Sequence, residues 1–104
     1  MFSVIYSFEV KQGLNEELIF TWTELTKLIY KYEGSLGSRL HHASENKYIA
    51  YAQWPSRDKW ENFGSKLPPE AEAFSKRMKA CCKHINTFYE LTTVVDLLRD
   101  KPQL

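Results

Sequence analysis

Residues 34–63, GSLGSRLHHASENKYIAYAQWPSRDKWENF, decide the fold. A glycine stop opens the stretch, and Leu36 to Ala43 reads as a strand. Ser44-Glu45-Asn46 makes a hairpin turn, and Lys47 to Trp54 is a second strand, rich in Tyr and Ile with alanines between them. Pro55 ends that strand because it has no amide to give to the ladder. Ser56 then caps a short helix that carries Trp60 and Phe63 on one side. Two adjacent histidines, His41 and His42, lie near the end of the first of these strands, and Trp54 closes the second.

Upstream, Phe2, Val4, Tyr6, Phe8 and Val10 alternate with polar positions over Phe2 to Lys11, the period of a strand. Gln12-Gly13 is a turn. Asn15 is expected to cap a helix, with Glu16 and Glu17 where the positive end of the helix dipole favours acids. Leu18, Trp22, Leu25, Ile29 and Tyr32 recur at helical spacing, and Gly34 supplies the stop. Downstream, residues 64–69 break the short helix, and Pro69 suits the first turn of another. Phe74, Met78, Cys81 or Cys82, and Ile85 share one side of it.

From Ile85 to Leu97 the odd positions read Ile, Thr, Tyr, Leu, Thr, Val, Leu. That alternation sustains about 13 residues of strand, against a typical five or six. A small sheet is not expected to pair so long a strand, and an exposed apolar edge is an aggregation hazard unless covered. The excess is therefore expected to pair with another chain.

The order is β-α-β-β-α-β: an α+β, ferredoxin-like fold with an antiparallel sheet and helices on one face, in one domain spanning residues 1–104. The first and last strands also place apolar residues on the other face. A second copy of the sheet is the natural cover, which makes a homodimeric α+β barrel.

Composition narrows the function classes. Three Trp, six Tyr and six Phe make up 14% of 104 residues, a surplus that fits an aromatic-lined pocket or a large subunit interface. A net charge near +1 without a basic or acidic block favours neither nucleic acid nor anionic lipid as partner. No run approaches the roughly 20 apolar residues that span a bilayer, and the first residues do not read as a secretory signal. Cys81 and Cys82 are the only cysteines, and neighbours rarely bridge each other, so a reduced, cytoplasmic setting is expected.

The segment FSVIYSFEVKQG, its amphipathic helix, and the 34–63 block together resemble the antibiotic biosynthesis monooxygenase family of dimeric α+β barrels. The resemblance runs from residue 2 to about residue 95. It is strongest in YAQWPSRDKWE, where an aromatic strand ends in Trp before a Ser-capped helix, and includes the pair Leu40-His41. It implies a homodimer with a pocket in each subunit between sheet and helices. It also implies a substrate of the polyphenol or quinol type, oxidised by molecular oxygen without metal or flavin. On that pattern the substrate, once deprotonated, supplies the electrons. The protein supplies a hydrophobic cavity, a proton acceptor and hydrogen bonds to the developing oxyanion.

His41 and His42 are the candidates for the base, since imidazole titrates near working pH. They point to opposite strand faces, so at most one meets the pocket. The Leu-His pair favours His41, and strand parity groups His42 with Leu40. Trp54 is read as closing the end of the core, with a pocket wall whose indole N–H meets a ligand oxygen as the functional alternative. Tyr6, Tyr48 and Tyr51 could offer hydroxyls, and Trp22 and Phe63 apolar walls. Arg39 is read as a surface ion-pair former and His84 as a junction residue.

No cofactor is expected. Adjacent strand histidines diverge and no carboxylate completes a ligand set, so no metal is expected either. Cys81 and Cys82 have no histidine at a spacing that ensures contact, so they are not read as nucleophiles. Haem-degrading relatives carry an Asn in the first strand and a His in the later helix. Here Ser7 stands at the first position and residues 70–82 hold no His, which counts against haem. The strand motif of RNA-recognition domains is absent. The reading is a cofactor-independent monooxygenase acting on a small aromatic or quinol with oxygen. Its rivals are a barrel that binds a small apolar ligand, or answers stress, without turnover, and a haem-binding relative.

Overall fold

The computed structural model describes residues 1–98 and runs β1 (Phe2–Val10), α1 (Asn15–Glu33), β2 (Gly37–Ser44), β3 (Lys47–Trp54), α2 (Arg57–Glu61), α3 (Glu70–Ala80) and β4 (Cys82–Thr92). All pairings in the sheet are antiparallel, in the order β2-β3-β1-β4. This is the ferredoxin-like β-α-β-β-α-β arrangement expected from the sequence, and its helices pack over one face of the sheet.

Period-two alternation divides the sheet's residues between its faces. Phe2, Val4, Phe8 and Val10 of β1 and Tyr48, Ala50, Ala52 and Trp54 of β3 turn toward the helices and are buried. Leu18 and Leu25 of α1 and Ala71 of α3 close over them. The alanines of β3 leave room above the middle of the sheet, and that room becomes the cavity. Ser3, Ile5, Ser7 and Glu9, paired with Gln53, Tyr51, Ile49 and Lys47, face away from the helices.

The ends of α1 differ in how closely they follow expectation. Gly34 takes the left-handed conformation, φ 80°, that stops the helix without a Cβ penalty. At the other end the cap position is Leu14, not Asn15. Asn15 is already helical, and its amide donates to the Glu45 carbonyl at 3.4 Å, tying the helix start to the β2–β3 turn. Tyr32, expected on the buried side, is exposed under Lys31. Thr21 is fully buried instead, with its hydroxyl returned to the Glu17 carbonyl at 2.7 Å.

The largest departure is in β4. The expected strand from Ile85 to Leu97 begins at Cys82 and ends at Thr92. It does not outrun its partner: Cys82 to Thr92 pairs with β1 from Val10 to Phe2, two register shifts absorbing the surplus residues. Ile85 thus belongs to β4 rather than to the side of α3.

Between α1 and α3 the principal polar contact is bidentate. Arg77 donates through Nε and Nη2 to the two carboxylate oxygens of Glu17, both at 2.9 Å. The guanidinium also lies over Phe20 and Phe74, which meet edge to face at 6.1 Å. The Arg77 partnership holds the Glu17 carboxyl below the usual carboxylate range.

Candidate functional site

A cavity of about 570 Å³ lies between the helix-side face of β1 and β3, helices α1 and α3, and the segment linking α2 to α3. Its walls are mostly apolar, with Trp22 and Leu25 from α1, Met78 from α3, and Phe63, Leu67 and Pro68 along the linking segment. Volume and lining suit one small aromatic molecule.

Two polar groups within these walls stand out, both at strand positions. Trp54, at the end of β3, is only 2% exposed, and its ring packs against Phe63 with centroids 5.1 Å apart. Its indole N–H has no acceptor among the described residues. A buried donor without a partner carries a desolvation cost of roughly 1–3 kcal/mol, and this nitrogen exposes no surface of its own. Tyr6, on β1, also lines the cavity. Its hydroxyl oxygen accepts the Trp60 indole N–H at 2.7 Å. Burial, opposed in part by the Trp60 bond and reinforced by the Glu90 carboxylate, raises its pKa above the ordinary tyrosine value. Tyr6 is therefore a neutral O–H group at physiological pH.

The sequence-predicted residues separate into two groups. Tyr6, Trp22, Trp54 and Phe63 meet in the cavity wall. Tyr51 stands on the other sheet face, where its hydroxyl is shared with Ser3 Oγ at 3.1 Å and receives an N–H from Gln53 at 3.3 Å. His41 pairs with Ile49 on that same outer face. His42 pairs with Tyr48 on the helix side, so strand parity predicts its face correctly. It is exposed, however, and lies outside the cavity lining. Its ring stacks on Tyr48 at 4.9 Å, and Nε2 lies 2.9 Å from the Glu45 carbonyl oxygen. A carbonyl oxygen only accepts, so that bond puts the proton on Nε2 and leaves Nδ1 as the basic nitrogen of the neutral ring.

Ser7 and His84, the positions nearest to those the haem-degrading pattern would use, both stand on the outer face, away from the cavity. Cys81 and Cys82 are free and buried, with sulfurs 3.9 Å apart. Burial pushes the Cys82 thiol up to about 12 and raises Cys81 as well, so neither is an activated nucleophile. Among the described residues no three His, Cys, Asp or Glu side chains group to hold a metal ion. No described helix is long and apolar enough to cross a membrane.

Sequence reasoning did not assign a role to Glu72, the only carboxylate lining the cavity among the described residues, and read Trp60 as packing against the sheet, not as the partner of Tyr6. Helical spacing from Pro69 could have put Glu72 near the α3 face that holds Phe74 and Met78. Nothing local marks Trp60, because its partner lies 54 residues away.

No curated protein sequence is similar to this chain. Among solved structures, SnoaB, a cofactor-independent oxygenase from Streptomyces nogalater, superposes with a TM-score of 0.73 at 15% identity, covering 94% of this chain and 97% of that one. A protein from Caulobacter crescentus classed with the antibiotic biosynthesis monooxygenases gives 0.75 at 17% identity, over 90% of each chain. Another so classed, from Chloroflexus aurantiacus, gives 0.76 at 13% identity, over 91% and 94%. At these identities the likeness is one of fold, and it includes β4. The family model for antibiotic biosynthesis monooxygenases matches residues 1–79, from β1 nearly to the end of α3. The chain belongs to the antibiotic biosynthesis monooxygenase family.

Proposed function

We propose that the protein is a cofactor-independent monooxygenase that oxidises a small aromatic or quinol-type substrate with molecular oxygen. The observation that carries this reading is an apolar cavity of the size and lining for one small aromatic ring, with a neutral tyrosine in its wall. A fixed donor in a largely apolar wall favours a developing oxyanion more than the neutral ground state.

The reaction balances without a further reductant. Loss of the phenolic proton delocalises charge onto a ring carbon, which attacks dioxygen, and the new C–O bond gives a hydroperoxide after protonation. Loss of the proton on that carbon, with O–O cleavage, releases water and leaves a quinone. Tyr6 donates to the oxyanion, while Trp54, Trp22 and Phe63 wall the ring. Of the two histidines His42 is the better proton acceptor. It shares the cavity's sheet face and has a basic Nδ1, reaching the substrate through water because its ring lies outside the wall.

A homodimer completes the reading. Phe88, Tyr89 and Leu91 of β4 are exposed, as are Val94 at 91% and Val95 at 71% just beyond it. Tyr89 and Leu91 pair with Ile5 and Ser3 on the outer face. An apolar surface of this kind calls for a second copy of the sheet. The family fold and the composition carry no sign of a nucleic-acid or membrane partner, and a cytoplasmic setting fits two free, adjacent cysteines.

Oxygen uptake over a panel of quinols tests the reading. Turnover in the wild type, reduced about tenfold or more in His42→Ala and little changed in His41→Ala, is the expected result. Equal turnover in both variants removes the histidine base. Tight binding of the panel without oxygen uptake favours the rival reading, a ligand-binding barrel without turnover.

A further inference from the structure

A phenolic hydroxyl can give or take a hydrogen bond, and its other partner decides which it offers to a ligand. At Tyr6 that partner is Trp60. An indole N–H only donates, so the Tyr6 oxygen is the acceptor in this pair and keeps its own proton for the cavity it lines. Trp60 does not line the cavity itself. It sits behind the wall on α2, and its ring packs on Phe2, whose side chain is buried, at 5.6 Å.

The short helix is held by more than this contact. Ser56 caps it, accepting the Lys59 amide N–H at 3.2 Å. Arg57 lies over the Phe2 ring at 4.7 Å and forms an ion pair with Glu90 of β4. Glu90 is the charged group that bears on Tyr6, its carboxylate raising the hydroxyl's pKa, and Arg57 pairs with Glu90.

We infer that Trp60 is a positioning residue: its N–H fixes Tyr6 as a donor, so that Tyr6 makes the cavity select the ionised form of a phenolic or enolic ligand over the neutral form. The inference deepens the oxygenase reading, since the anion is the form that reacts with oxygen. It can nevertheless be tested by binding alone.

The probe is 4-nitrophenol, whose ionisation is followed by its own absorbance when bound to the full-length protein. In the wild type the bound probe should ionise at lower pH than the free probe. In Trp60→Phe, which keeps a ring against Phe2 but removes the N–H, about tenfold of the preference for the anion should be lost, a shift of about one pH unit. Binding of 4-nitrotoluene, which has the same outline and no ionisable oxygen, should stay within about twofold, a contrast that simple loosening of the fold would not produce. Tyr6→Phe should lose the same preference, and the double variant no more than Tyr6→Phe alone, because the two residues act as one unit.

Should Trp60→Phe not fold, β-(3-benzothienyl)alanine at position 60 keeps the shape and removes only the N–H. Unshifted ionisation of the probe in the wild type, equal ionisation in wild type and Trp60→Phe, or additive losses in the double variant would overturn the inference. Absence of oxygen uptake with every quinol, with the nitrophenol pattern intact, would sink the oxygenase reading and leave the role of Trp60 standing.

Discussion

Trp54 carries a buried donor that the fold leaves without an acceptor. Removing such a group relieves a desolvation cost, and the smaller ring of Trp54→Phe forfeits some packing against Phe63. The two effects oppose each other. The variant should melt close to the wild type in calorimetry. Tyr6→Phe differs in sign for stability, because it strands the Trp60 N–H. It should destabilise by roughly 1–3 kcal/mol in denaturant titrations. At the cysteines, burial and raised thiol pKa values predict that iodoacetamide leaves both unlabelled in the native protein and labels both after denaturation. Single positions were unevenly legible in the sequence. Alternation puts Tyr6 and Trp54 on strands, and the wall uses both. The same alternation distinguishes His41 from His42 and separates Tyr51 from Trp54, but it cannot say which face the helices cover until a strand's buried set is known. The bond between Tyr6 and Trp60 spans 54 residues and leaves no local trace.

At the scale of elements, the α1–α3 clamp makes a pH-dependent contribution whose sign is fixed. Glu17 has a lowered pKa because Arg77 favours its charged form. Its contribution to stability is therefore present above the unfolded carboxylate value and is lost as pH falls through the lower folded value. Arg77→Gln should be less stable than the wild type at neutral pH, and the difference should vanish in acid below the carboxylate range. A difference that persists there would assign the effect to packing on Phe20 and Phe74 instead. Element types and order were readable from periodicity and from Gly34, Pro55 and Ser56. The ends were less so. Asn15 has a capping side chain but spends it on the neighbouring turn, and β4 starts at Cys82, inside what reads as a continuing helix side. The alternation past Thr92 is real as a pattern, yet a strand needs a ladder, and β1 ends where β4 ends: Phe2 pairs with Thr92.

For the whole molecule, the helix-covered face of the sheet holds the cavity, and the other face carries Ile5, Ile49, Tyr51, Tyr89 and Leu91 among polar residues. Tyr89 is 62% exposed on β4, with Leu91 beside it on the outer face. A charge there should be costly only if a second copy covers it. Tyr89→Glu should convert a dimer to a monomer in sedimentation at micromolar concentration without altering the far-ultraviolet dichroism, and a wild type that sediments as a monomer would contradict the dimer reading. The chemistry itself is tested most directly by turnover of a quinol under isotopically labelled dioxygen. The account predicts one labelled atom in each quinone formed and the other in water, with the rate lowered at least about tenfold in Tyr6→Phe. Unlabelled quinone, or equal rates in the wild type and Tyr6→Phe, would contradict it.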